Sequence, residues 1–300
     1  MKALAILLLI LSSASRSDGK GLLGVVESDF KQIAMAGQST VDGMDQGGDP
    51  HLRAGTDLVN CQFSGHNTYG DDGHGHSKLD LALEAGLHAV EVDETWGMVR
   101  ERAVVTHSKD ALGLTEPLLE DYLAPVWRAW STAQDNDYLL TLDLKKDSAP
   151  LAQDIHHILE KHAAVLSHVD AQGVYHPGKI TVMLTGSGTT ERDYEDYARA
   201  HGGCLAFGHA TSVPAAAPGF VRFLNLSLRQ LLTAGKNDEI ATDVVKSLVS
   251  RAHAAGYRVR VYLVNEERHW QTLIDAGVDW IATDAYQQAA DYWRHHQAGH

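Results

Sequence analysis

The sequence predicts an α/β chain that folds as a single-domain (β/α)₈ TIM barrel. Three segments, 79–93, 240–264 and 270–284, each run from an apolar-periodic helix through Ala-Gly into a short β-rich strand. Glycine just after a helix accepts the left-handed C-cap conformation, and helices that alternate with short strands are typical of a parallel sheet. Eight or nine strands in about 230 residues match the density of this barrel. A doubly wound open sheet is the alternative, but no Gly-rich phosphate loop follows the first strand.

The elements follow in order along the chain. The helix at 149–162 has Asp147 or Ser148 as its predicted N-cap and Pro150 in its first turn. We predict strands at 58–63, 89–93, 103–106, 138–142, 179–184, 204–207, 220–224, 259–264 and 280–284, and further helices at 79–85, 116–130, 240–255 and 270–276. These elements place the barrel at 58–292 and leave a polar, His-rich tail at 293–300.

The composition excludes several classes of protein. Hydrophobic residues make up 44% of the 300 residues, which is enough for a large core. Lys and Arg number 25 against 39 Asp and Glu, so the formal net charge is −14. We therefore expect no nucleic-acid partner and little affinity for an anionic membrane surface, because both need a basic face.

The N-terminus has the pattern of an export signal. Residues 1–14 begin with Met1-Lys2, continue as an apolar run from Ala3 to Leu11 and end in small residues. The run is too short to span a bilayer, so we expect a secreted or periplasmic protein without a stable membrane anchor. A buried N-terminal helix is the alternative. Residues 15–57 are rich in Gly, Ser, Asp and Gln and are interpreted as a flexible lead-in.

Polar side chains stand where the predicted strands end. They are His66 and Asn67, Glu91 and Asp93, His107, Asp143 and Lys145, then Asn265 and Asp284. In a barrel of this type the active site lies at the C-terminal ends of the strands. Because side chains alternate along a strand, Glu91 points the same way as Asp93, and Asp143 the same way as Lys145.

These residue types indicate metal-assisted phosphate chemistry. Carboxylate and amide oxygens without cysteine suit one divalent cation, Ca²⁺ or Mg²⁺. Without a cation the three carboxylates would repel one another and raise each other's pKa. One histidine could accept a proton from an attacking hydroxyl and the other donate one to the leaving oxygen, in an order that the residues leave open. Lys145 could add positive charge beside the phosphate.

Together these motifs resemble the phosphatidylinositol-specific phospholipase C and glycerophosphodiester phosphodiesterase superfamily across residues 58–290. The start His66-Asn67-Thr68-Tyr69 is similar to the His-Asn-Asp-Tyr of a bacterial and fungal branch. The resemblance implies hydrolysis of a phosphodiester, either a phospholipid head group or a glycerophosphodiester, with His66 and His107 as the acid–base pair. It also implies a metal site made of four residues: Asn67, Glu91, Asp93 and Asp143. The sequence lacks the His-Arg-Gly and Glu-Asn-Thr segments usual in glycerophosphodiesterases.

Two further functions and one covalent feature stay open. A degenerate barrel could bind a phosphorylated ligand without turnover. His74-Gly75-His76 resembles the His-x-His of metal-dependent amidohydrolases, although these histidines lie in a polar loop. Export would permit a Cys61–Cys204 disulfide, and two buried free thiols are equally compatible with the sequence.

Overall fold

A computed structural model describes residues 61–133, 137–233 and 239–298. The predicted signal segment, the lead-in, the start of the first strand and the last two residues of the tail lie outside these ranges. Among the described residues, no helix combines the length and the apolar character needed to cross a bilayer.

The strands confirm the predicted barrel. They are β1 (Gln62–Gly65), β2 (Ala89–Gly97), β3 (Arg102–Val105), β4 (Tyr138–Leu144), β5 (His168–Asp170), β6 (Tyr175–His176), β7 (Ile180–Gly186), β8 (Gly203–Cys204), β9 (Gly208–Ala210), β10 (Val221–Ser227), β11 (Arg258–Tyr262) and β12 (Trp280–Thr283). Eight of them pair in the order β7-β4-β2-β1-β12-β11-β10-β9, and every pair in this path is parallel. Backbone hydrogen bonds between Phe207 and β7 nearly close the ring.

The helices lie on the outside of the ring. They are α1 (Lys78–Glu84), α2 (Leu119–Tyr122), α3 (Ala124–Ser131), α4 (Ala149–Glu160), α5 (Gly188–Ala200), α6 (Leu228–Leu231), α7 (Thr242–Ala254), α8 (Glu267–Asp275) and α9 (Tyr286–Ala298). Of the two predicted candidates for the N-cap of α4, the structure selects Ser148, whose side chain accepts from Leu151 N. Gly86, Gly256 and Gly277 follow their helices at φ of 79°, 84° and 80°, which explains the repeated Ala-Gly.

The inside of the ring is arranged in layers that decide where chemistry can occur. At the N-terminal end the inward side chains are apolar, and they include Ala89, Leu139, Phe223 and Trp280. Two residues further along, the inward positions hold buried Glu91, Thr141, Asn225 and Arg260. Asp93 and Asp143 are paired in register one step nearer the C-terminal rim. The barrel thus changes from apolar to ionic along its axis.

Several sequence predictions are wrong in detail. β3 is not a barrel strand, because it pairs antiparallel with the C-terminal part of β2 as the second arm of a hairpin. The single helix predicted at 116–130 is two helices that meet at Leu123, since Pro125 has no N–H to donate within a continuous helix. The strand predicted at 204–207 is displaced: β8 belongs to a separate sheet with β5 and β6, and β9 completes the barrel.

The structure decides between the two interpretations of the cysteines. Cys61 and Cys204 are both free and both buried, so the second of the two interpretations holds. Burial raises the pKa of Cys61 well above its ordinary value and that of Cys204 to about 11. At the C-terminus, α9 continues past the predicted domain boundary at 292.

Candidate active site

A cluster of three carboxylates lies at the C-terminal rim of β2 and β4. Glu91, Asp93 and Asp143 each offer an oxygen, and these oxygens all lie within 4.8 Å of one another. The parallel register of the two strands, which places Asp93 beside Asp143, brings them together. Asp93 is fully buried, its Oδ1 has no hydrogen-bond partner, and its Oδ2 has the ammonium of Lys145 at 3.1 Å. A buried carboxylate oxygen without a partner is the donor that a hard divalent cation would satisfy, so the residues present fit Ca²⁺ or Mg²⁺.

Lys145 lies against the cluster as predicted. Its Nζ is 2.5 Å from Asp143 Oδ2 and 3.1 Å from Asp93 Oδ2. Burial alone would lower the pKa of Lys145, but the two carboxylates raise it above its ordinary value, so the ammonium stays charged. Burial, reinforced by Asp143 and Glu91, raises the pKa of Asp93 to about 7 despite this ammonium. The cluster is therefore short of positive charge at neutral pH.

His66 is held at the end of β1 by groups from the last strand and the last helix. Its Nδ1 lies 2.9 Å from Asp284 Oδ1, and the Tyr286 hydroxyl donates to its backbone carbonyl. Burial would raise the pKa of Asp284, but hydrogen bonds from His66 and Asn265 hold it below its ordinary value. An ionised Asp284 favours the proton on Nδ1, which leaves Nε2 as the reactive nitrogen. That nitrogen is 3.5 Å from Glu91 Oε1.

His107 follows the antiparallel strand β3 of a hairpin, whereas the sequence predicted that it follows a barrel strand. The β2–β3 hairpin rises beyond the barrel and returns, and Thr106 N donates to Asp93 O at 2.9 Å. The next residue, His107, is exposed, and its ring stacks on Tyr69 with the centroids 6.0 Å apart. Tyr69 follows β1 in the same segment as His66, so the stacking ties the two predicted histidines to one side of the rim.

Asn67 lies between His66 and the first loop. It has a left-handed backbone conformation (φ 50°), which asparagine tolerates better than most residues. The backbone N–H of Thr68 then donates to Glu91 O at 2.9 Å. This bond places Asn67 at the edge of the carboxylate cluster, where its predicted role as an oxygen ligand remains a prediction.

Sequence reasoning missed Asp284 as a partner of His66. β1 pairs with β12 in the register Gly65↔Thr283, so the residues that follow each strand must be neighbours. In a closed barrel the last strand pairs with the first, so the predicted barrel already implied that Asp284 lies near His66.

Two other missed residues had no such signal. Arg260 is 1% exposed and donates to Glu91 from across the barrel. His209 follows the start of β9, with its Nδ1 3.2 Å from Glu191 Oε1. Burial would lower the pKa of His209, but Glu191, with a contribution from Asp143, raises it above its ordinary value.

The histidines of the amidohydrolase alternative lie elsewhere. His74 and His76 are exposed in the loop after β1, where Asp72 accepts from both backbone N–H groups and lies 2.9 Å from His76 Nδ1. Among the residues that the structure describes, the only group arranged to hold a metal ion is the carboxylate cluster, and it contains neither histidine. The alternative therefore lacks the geometry that it requires.

Comparison with known proteins gives a family match and a consistent set of structures. Residues 160–288 match the model of the glycerophosphoryl diester phosphodiesterase family. A glycerophosphodiester phosphodiesterase from Parabacteroides distasonis is 14% identical, with a TM-score of 0.55 over 79% of this chain and 98% of the other. A phosphodiesterase from Oleispira antarctica, solved with sn-glycerol-3-phosphate, is 15% identical, with a TM-score of 0.53 over 78% and 96%.

A third structure is a Ca²⁺-dependent phosphatidylinositol-specific phospholipase C from Streptomyces antibioticus. It is 14% identical, with a TM-score of 0.50 over 77% of this chain and 95% of the other. A search of the curated proteins finds no relative. Residues 160–288 are thus similar to the glycerophosphoryl diester phosphodiesterase family, and the solved structures share the barrel fold of this chain.

The family match and the geometry concern different parts of the chain. The matched segment begins after Lys145, so it contains Arg260 and Asp284 but none of the predicted catalytic or ligand residues. The comparisons show the barrel fold. The individual residue roles rest on the arrangement at the rim.

Proposed function

We propose that this protein is a phosphodiesterase that depends on a divalent cation held by Glu91, Asp93 and Asp143, with Asn67 as a fourth ligand. The observation that carries the proposal is the meeting of three carboxylate oxygens within 4.8 Å, one of them from the fully buried Asp93, whose Oδ1 has no hydrogen-bond partner. When bound, the cation would neutralise the carboxylates and polarise a phosphoryl oxygen. Lys145 adds a fixed positive charge next to the same oxygens.

The two histidines perform the proton transfers in this proposal. Asp284 keeps the Nδ1 proton of His66 in place, so Nε2 accepts or returns a proton at the scissile phosphate. His107, which follows the β2–β3 hairpin and is exposed to solvent, takes the complementary role. Attack by a hydroxyl of the substrate would give a cyclic phosphate, and attack by water would give a monoester.

The substrate class is a small phosphodiester, either a glycerophosphodiester or a phospholipid head group. His107 is exposed and His66, Asp143 and Lys145 are half-buried, so both a soluble ester and a lipid head group are compatible with this rim. Hydrolysis of a panel of both kinds of ester, followed by ³¹P NMR with EDTA, Ca²⁺ or Mg²⁺, identifies the substrate and the product.

The first prediction concerns the histidines and the ion. We expect His66→Ala and His107→Ala each to lower kcat by about 10²- to 10⁴-fold, and EDTA to abolish turnover until the cation is restored. His176→Ala is the matched control, because His176 also pairs with an aspartate but lies on β6, outside the barrel. A folded His66→Ala variant that keeps full activity would contradict the proposal. Cation binding without hydrolysis of any ester would instead favour the degenerate, ligand-binding barrel.

We also propose that the protein is exported, on the pattern of residues 1–14. Mass spectrometry of the mature N-terminus from its native host checks this proposal. Recovery of an unprocessed chain from the cell interior would contradict it.

A further inference from the structure

Arg260 is a buried cation in the middle layer of the barrel. It lies on β11, is 1% exposed and is among the largest fully buried side chains of the described residues. Its neighbour in register on β10 is Asn225, whose Oδ1 accepts from one guanidinium nitrogen at 3.0 Å. The other terminal nitrogen crosses the ring and donates to Glu91 Oε2.

Because of this contact, the two carboxylate oxygens of Glu91 have different neighbours. Oε2 is held by Arg260, while Oε1 faces His66 Nε2 at 3.5 Å. β2 and β11 are separated in the ring by β1 and β12, so this contact is not a by-product of neighbouring strands. A buried ion pair is an expensive way to gain stability, because desolvation offsets most of the attraction between its charges. The arrangement therefore calls for an explanation beyond stability.

The charges of the rim supply that explanation. Glu91, Asp93 and Asp143 are three carboxylates, and Lys145 and Arg260 are two fixed cations beside them. With all three acids ionised, the cluster retains one negative charge. A divalent cation would turn this into one positive charge, which matches a phosphodiester monoanion.

Resting on the proposed cation site, we infer that Arg260 is a positioning residue that restricts Glu91 to one metal-facing oxygen and lowers the affinity of the site for the cation. Its guanidinium holds Oε2, so Glu91 has a single oxygen available to the cation. Its positive charge repels the cation at short range. Arg260 thus lowers the affinity for the cation, but it fixes the geometry of the Glu91 ligand. It also gives the site a net positive charge once the cation is bound.

The test is calorimetric titration of Ca²⁺ and Mg²⁺ into the full chain. We expect Arg260→Gln to bind Ca²⁺ about tenfold more tightly than the wild type, because a like charge has been removed, while kcat falls. We expect its preference for Ca²⁺ over Mg²⁺ to increase, since Ca²⁺ accepts both oxygens of a carboxylate and Mg²⁺ favours one. Arg260→Lys keeps the positive charge, but its single ammonium cannot hydrogen-bond to Asn225 and Glu91 at the same time. We expect its absolute affinity to stay within about threefold of the wild type and its preference to move towards Ca²⁺.

Arg258→Gln is the matched control on the same strand. Arg258 pairs with Asp137 and Asp279, neither of which belongs to the cluster. We expect this variant to lose stability without a change in Ca²⁺ affinity. An equal gain of affinity in the control, or unchanged or weaker Ca²⁺ binding by a folded Arg260→Gln variant, would overturn the inference. If Arg260→Gln does not fold, an unchanged Ca²⁺ preference in Arg260→Lys overturns it.

The outcome separates this inference from the proposed function. Tighter Ca²⁺ binding by Arg260→Gln in a protein that hydrolyses no phosphodiester would support the inference and contradict the function. Phosphodiester hydrolysis by the wild type, together with an unaltered cation affinity in Arg260→Gln, would support the function and contradict the inference. If neither the wild type nor Arg260→Gln binds either cation, both are wrong.

Discussion

At the scale of single residues, the pair of Asp284 and His66 is the most direct link between packing and chemistry. Asp284 is fixed by Asn265, which donates to its carboxylate and accepts from its backbone N–H. The carboxylate then fixes the tautomer of His66. Neither residue needs to move for Nε2 to face the carboxylate cluster, so the histidine is oriented before any substrate arrives.

Asp284→Asn should therefore impair catalysis more than binding. Removing the carboxylate charge destabilises the imidazolium form of His66 and loosens the ring, so we expect kcat to fall about 10²-fold or more with KM within about threefold of the wild type. Asp291→Asn on α9 is the control, since Asp291 pairs with Arg294 and contacts no histidine of the site. A wild-type kcat in Asp284→Asn would show that the pair is only structural.

At the scale of elements, the β2–β3 hairpin decides where His107 lies. The hairpin is joined to the following loop by Val99 N donating to Leu112 O at 2.9 Å. Gly97 and Gly113 pack backbone against backbone: a Cβ on Gly113 would lie 2.8 Å from Gly97 Cα. The segment that carries His107 therefore depends on two glycines that no catalytic pattern includes.

Gly113→Ala tests this dependence. Gly113 has φ 73° and no room for a Cβ, so we expect the loop to shift, with a loss of about 1–3 kcal/mol in stability and at least a tenfold loss of kcat through His107. Gly173→Ala isolates the effect of the close approach, because Gly173 also has a positive φ (82°) but has no atom within 4 Å of the added Cβ. Thermal melts and steady-state kinetics of both variants are the measurements. Equal effects in the two would attribute the loss to backbone conformation alone.

At the scale of the whole molecule, the parts that the sequence could predict are those set by local periodicity. Three such features are the Ala-Gly repeats, the N-cap of α4 and the placement of Glu91 and Asp93 on one side of a strand. Each depends on a single helix or strand. The barrel followed from their order. The antiparallel β3 did not, because a short apolar strand looks the same in a hairpin and in a ring.

The unpredicted part of the site depends on contacts across the ring. Arg260 in Val259-Arg260-Val261 is indistinguishable from an exposed strand residue until β11 is known to face β2 across the barrel. Likewise, the pairing of His209 with Glu191 of α5 can be recognised only once the fold brings the two residues together. Side chains that act over such separations are fixed by closure of the whole ring rather than by any local pattern.

Closure of the ring also leaves a pH-dependent contribution to stability at its N-terminal end. Asp279, just before β12, lies 2.8 Å from His253 Nε2 and accepts from Val259 N at 2.7 Å, so it joins α7 to β11. The hydrogen bond to Asp279 raises the pKa of His253 above its ordinary 6.5, although burial opposes this. A raised pKa in the folded state means that the stabilisation is complete below pH 6.5 and is lost as the pH rises through the folded pKa.

His253→Gln should therefore destabilise the protein in acid more than in alkali. Glutamine can still donate to Asp279 but carries no charge, so we expect a loss of about 0.5–1 kcal/mol at pH 5.5 that shrinks towards zero at pH 8.5. Urea denaturation of both proteins at the two pH values measures the difference. His74→Gln, in an exposed loop, is the control and should show no such trend. A constant difference across the two pH values would mean that His253 contributes through packing rather than through its charge.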